Sequence, residues 1–180
     1  MLFTTSLFVV TRKKALSFRN VVIFNAYENY PLQKDSSIRT INQLKERFLN
    51  HVDVEEQNIF TLDGFVAQDA VQDCCRLYEQ RIKTFGGLDV ALIGIGRSGN
   101  IAANEPGSGL QSATRLILIG NTSREEMEIS EKTKESIPPC SLTMGIATLL
   151  SAKAIYLTAW GEEKAEIMQK VIENSITDTL

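Results

Sequence analysis

Histidine is nearly missing from this sequence: His51 is the only one among 180 residues. Cysteine is scarce as well, with the adjacent pair Cys74 and Cys75 and a third at Cys140. These numbers supply neither the donor set of a zinc site nor a disulfide framework. No metal and no cofactor are expected, and the thiols read as reduced, buried side chains. An excess of positive charge is also lacking, since 19 Lys and Arg face 22 Asp and Glu for a formal net charge of −3. Neutralising phosphates takes a cationic surplus, so a general nucleic-acid binder is disfavoured. No apolar run approaches the ~18 residues of a membrane span. The apolar residues 1–10 precede the basic Arg12, Lys13 and Lys14, the reverse of a secretory signal. A cytoplasmic protein with no membrane partner is the expectation. Repeats, linkers, low-complexity tracts and long blocks of one charge are absent. What remains is an ordinary globular composition, 43% hydrophobic and 23% charged, long enough for one domain over residues 1–180.

Within that frame, short apolar runs alternate with amphipathic stretches. Val21-Val22-Ile23-Phe24 is continuously apolar and β-branched, as in a strand buried on both faces, and a polar loop is expected over residues 25–37. Ile38, Ile41, Leu44, Phe48 and Leu49 mark one face of a helix. Residues 58–62 form a short strand closed by the Asp63-Gly64 turn signal. Residues 67–84 predict an amphipathic helix with Val71, Cys74, Cys75, Leu77, Tyr78 and Ile82 toward the core and Gly86-Gly87 as its stop. Strands follow at 88–93 and 114–120, then a charged helix at 123–136 ended by Pro138-Pro139. The small residues of 141–149 suggest the start of another helix, and a strand at 154–161 precedes a closing helix at 162–174. This alternation predicts an α/β fold: a doubly wound, mainly parallel sheet with helices on both faces, Rossmann-like in outline.

The glycine-rich turn after the 88–93 strand is the most informative segment. Gly94-x-Gly96-x-x-Gly99 matches a dinucleotide-binding fingerprint, whose amides would approach a pyrophosphate. Against that, Pro106 would interrupt the following helix within seven residues of Gly99. Gly120-Asn121 also stand where a ribose-binding carboxylate would close the next strand. A simpler alternative is that the glycines only permit a tight turn.

A longer match accounts for the surroundings. Gly94-Ile95-Gly96-Arg97-Ser98-Gly99-Asn100-Ile101-Ala102-Ala103-Asn104-Glu105-Pro106 resembles the signature of the glucosamine-6-phosphate deaminase (isomerase) family, Gly-x-Gly-x-(Asp or Thr)-Gly-His-Ile-(Ala or Gly)-Phe-Asn-Glu-Pro. Ser17 to Asn25 with Tyr30-Pro31, His51-Val52-Asp53 through Asp63-Gly64, Ser112-Ala113-Thr114-Arg115, Leu142 to Ala152, and Gly161-Glu162-Glu163-Lys164-Ala165 follow the family's order. The likeness covers roughly residues 16–175. It implies that the family's first strand–helix unit is lacking. The family's anion-binding Thr-Gly-(Gly or Ser)-(Thr or Ser)-Pro loop falls at Thr4-Thr5-Ser6-Leu7, without its glycine and proline.

The resemblance implies an aldose–ketose isomerisation with loss of ammonia, and it shows where that chemistry is missing. The carboxylate that moves a proton between C2 and C1 corresponds to Tyr27, a phenol of pKa about 10 and a poor base at neutral pH. The ring-opening histidine corresponds to Asn100, whose amide neither takes up nor releases a proton. Ser98 stands at a position that is often aspartate. Glu105 is retained but has no histidine to orient, and an arginine on the phosphate falls loosely at Ile129. Lys164 matches a phosphate-contacting lysine, and Gly96 and Gly99 complete the substrate-binding set. Glu28 is a neighbouring carboxylate, and His51 reads as an exposed or locally bonded side chain. The function implied is a deaminase-like protein of amino-sugar metabolism without deaminase activity. The alternatives are a non-catalytic protein that binds a sugar phosphate or pairs with an intact family member, and a phosphosugar isomerase or hydrolase using Glu28 or Glu105. The resemblance also implies a homo-oligomer.

Overall fold

The structure, a computed structural model, describes residues 16–131 and 135–175. The expectations for the apolar start and for Thr4 to Leu7 lie outside those residues.

Among the described residues, seven strands are arranged in three sheets. β1 (Ile23–Phe24) pairs in parallel with β3 (Ile59–Phe60), Ile23 opposite Ile59. β4 (Val90–Gly94) pairs in parallel with β7 (Ala154–Thr158), Leu92 opposite Tyr156. Between antiparallel partners β2 (Tyr27–Tyr30) and β5 (Arg115–Leu118) runs β6 (Cys140–Thr143). The helices are α1 (Thr40–Arg47), α2 (Val71–Thr84), α3 (Asn121–Glu131), α4 (Ile146–Leu150) and α5 (Ala165–Glu173). No described helix is long and apolar enough to cross a membrane.

Two expectations about local structure change. The segment read as a polar loop contains β2, because its alternating partners come from β6, which is distant in sequence. The segment read as the start of a helix is instead β6 over its first residues, and α4 begins only at Ile146. Ser141, Leu142 and Thr143 are fully buried between two strands, and that environment overrides local propensity.

The core gathers around α2, whose Val71, Cys75, Tyr78 and Ile82 recur at i, i+4, i+7 and i+11 on a single stripe. They meet Tyr30, Leu62, Leu142, Met144 and Leu149. Tyr78 donates its hydroxyl to the carbonyls of Asn25 (2.8 Å) and Phe60 (3.1 Å), binding the ends of β1 and β3 to the helix. Leu77, expected toward the core, is exposed, since it lies off that stripe. Gly86 and Gly87 stop the chain here with φ of +86° and +91°. Leu32, Ile38, Ile119 and Ile137 form a second, smaller core.

Residues 21–24, expected to be buried on both faces, are only partly so, with Val21 exposed and Val22, Ile23 and Phe24 half-buried. The strand at 90–94 is exposed along one side. Val90 and Leu92 are 57% and 52% exposed, and Tyr156 beside Leu92 is exposed too. Among the described residues, no helix covers that face of the β4–β7 pair.

Candidate functional site

Beyond the carboxyl end of β4 the chain turns sharply. The amide of Gly96 donates to the Asn100 carbonyl (2.9 Å), and Gly99 donates back to Gly96 (3.0 Å). A Cβ on Gly96 would lie 1.8 Å from Asn100 Oδ1, so only glycine lets the Asn100 side chain fold under the turn. Gly99 adopts φ +90°. The Asn-Glu-Pro segment then returns through reciprocal backbone bonds between Ile101 and Asn104.

Buried Asn104 anchors this loop. Its Nδ2 donates to the carbonyls of Met144 (2.7 Å) and Ile101 (3.0 Å), and its Oδ1 accepts from the Arg115 guanidinium (2.8 Å). Glu105 ties the loop to the second residue after β5, accepting the Gly120 amide at 2.9 Å. Ser98 donates its hydroxyl to Asn100 Oδ1 (2.8 Å) and lies 3.4 Å from Glu105 Oε2 and 3.2 Å from the Ser123 hydroxyl. Ser98, Asn100 and Glu105 therefore form a group connected through the Ser98 hydroxyl. Its hydrogen bonds hold the loop in shape, and the Asn100 amide brings no titratable proton to it.

The turn faces an open cleft of about 1170 Å³ that also borders β1, β4 and α3. Tyr27, Gly96 and Asn100 all line it, although 73 residues separate Tyr27 from Asn100. Glu28 is not part of the lining. It is 1% exposed, and its Oε1 accepts the amides of Thr40 (2.9 Å) and Asn29 (3.0 Å) at the start of α1. Its Oε2 has no partner among the described residues, and burial pushes this carboxyl above the usual range despite those bonds. His51 is exposed, its Nε2 2.9 Å from the Glu46 carbonyl.

Lys164 lies in a short 3-10 turn after β7 and is ion-paired with Glu126 of α3, which lines the cleft. Glu126 also accepts the backbone amide of Arg97 at 3.0 Å. Sequence reasoning did not find Glu126, which lies among Glu125 and Glu128 on a charged helix with no motif to single it out. Ile129 is exposed. Among the described residues, no three His, Cys, Asp or Glu side chains converge as metal ligands would.

By architecture this is an α/β protein whose polar glycine turn and cleft meet at the carboxyl end of a parallel strand, where such folds bind ligands. The chain belongs to the family described as glucosamine-6-phosphate isomerases/6-phosphogluconolactonase, whose model matches residues 4–179. It is 54% identical over 169 residues to a glucosamine-6-phosphate deaminase-like protein of Bacteroides thetaiotaomicron, covering 94% of this chain and 26% of that protein. It is 35% identical to a glucosamine-6-phosphate deaminase of Phocaeicola vulgatus, covering 96% of this chain and 65% of the relative. The chain thus spans about a quarter of the first relative and just under two thirds of the second. A solved monomeric glucosamine-6-phosphate deaminase superposes with a TM-score of 0.90 at 32% identity, over 98% of this chain and 72% of that one.

Proposed function

We propose that this chain is a glucosamine-6-phosphate deaminase-like protein of amino-sugar metabolism that does not carry out the deamination. The observation that carries this reading is the pair Tyr27 and Asn100 on the wall of one cleft. Moving a proton between two sugar carbons needs a group that titrates near the working pH and lies within hydrogen-bond reach. A phenol and an amide fail the first half of that requirement at neutral pH. The nearby carboxylates are already committed, Glu28 to the start of α1 and Glu105 to Gly120 and Ser98. Their commitment weighs against an isomerase or hydrolase that would use either one.

The test is fructose 6-phosphate formation from glucosamine 6-phosphate by the purified chain, with an active family enzyme as control. No product above the no-protein background is the expected result. Turnover that survives repurification and disappears in Tyr27→Phe or Asn100→Ala would overturn the proposal.

A further inference from the structure

The contact between Glu126 and Lys164 carries an inference about what the cleft accepts. Along α3, Glu125 and Glu128 are exposed, whereas Glu126 turns inward. The side chains of Lys164 and Glu126 are 12% and 28% exposed, so the pair is largely shielded from water. Two donors from separate segments converge on this one carboxylate. Oε1 meets the Lys164 ammonium, and Oε2 takes the Arg97 amide of the glycine turn at 3.0 Å. A backbone amide on a tight turn beside an ammonium is the combination that holds small oxyanions.

We propose that Glu126 is a resident anion. Its carboxylate fills the place between the Arg97 amide and the Lys164 ammonium that a phosphate monoester would otherwise take, so the chain holds no phosphate there. A phosphate entering beside Glu126 would meet a like charge at close range in a shielded site. To enter, it must displace the carboxylate and leave that charge without its partner, at a cost the phosphate's own contacts must exceed. The cleft is thereby biased toward uncharged sugars over phosphorylated ones. This deepens the proposed function, resting on it only for the identity of the cleft as the ligand site.

The test is titration of inorganic phosphate and of glucose 6-phosphate into the full chain, into Glu126→Ala and into Glu126→Ala with Lys164→Met. Calorimetry and the ¹⁵N shift of the Arg97 amide provide the readouts. Glu126→Gln, which keeps the side chain's shape, replaces Glu126→Ala if that variant does not fold by circular dichroism. The wild-type chain is expected to show no saturable binding, while removal of the carboxylate tightens phosphate binding at least about tenfold and moves the Arg97 amide. Adding Lys164→Met abolishes that gain. Saturable wild-type binding that depends on Lys164 would overturn the proposal, as would a folded Glu126 variant with no gain. The fructose 6-phosphate assay is separate: phosphate binding without turnover removes the resident anion and leaves the non-deaminating reading in place.

Discussion

Replacing Asn104 by alanine is the most demanding check on the way the glycine turn is held. The residue is 2% exposed, and its amide joins three partners that nothing else in the loop links. Alanine removes the donors to the Met144 carbonyl at 2.7 Å and the Ile101 carbonyl at 3.0 Å, together with the acceptor for Arg115 at 2.8 Å. Each neutral bond contributes about 1 kcal/mol net. Neither carbonyl is orphaned, because Met144 keeps the Thr143 hydroxyl at 3.1 Å and Ile101 keeps the Asn104 backbone amide at 2.9 Å. The charge-assisted bond counts for less than usual, because the half-buried Arg115 retains Ser108 at 2.9 Å and access to water. The backbone bonds between Ile101 and Asn104 survive the change. The loss should be about 2–4 kcal/mol. With a urea slope near 2 kcal/mol per molar, the midpoint falls by roughly 1–2 M. Urea melts followed by circular dichroism provide the assay. A loss below about 0.5 kcal/mol, the range of an ordinary surface substitution, would refute the role assigned to Asn104.

Three further outcomes can be checked. Burial raises the Glu28 carboxyl in the folded chain above its ordinary value, so the stability it contributes is complete below that ordinary range and is lost as pH rises through the folded-state value. Wild type should therefore lose ground to Glu28→Gln in urea melts between pH 4.5 and 7.5, and a wild type that gains instead would contradict the burial argument. Gly145→Ala places a Cβ 2.0 Å from the Ser112 carbonyl oxygen, a backbone atom that cannot swing aside, and should cost about 3 kcal/mol in thermal or urea unfolding. Burial pushes the Cys75 thiol up to about 11, so its alkylation by iodoacetamide at pH 8, read by peptide mass spectrometry, should run about a hundredfold slower than that of an unperturbed thiol.

The sequence by itself determined most of the local order. The stripe of α2, its glycine stop and the strand before the glycine turn follow from periodicity and from turn signals between near neighbours. Such patterns are legible because the partners lie within a few residues of one another. What lay beyond it were the features that join distant segments. β2 is a strand because it finds β6 across more than 100 residues, and the first half of the 141–149 segment is one because it lies between β2 and β5. The exposure of Val90 and Leu92 depends on which elements lie over them, which an apolar run cannot report. The meeting of Tyr27 with Asn100 at one cleft was available only through a family resemblance, and Glu126 carried no signal of any kind. Helix α3 presents several similar carboxylates to choose from. Only the tertiary structure, by bringing the Arg97 amide and Lys164 to the same point, decided which of them is drawn inward.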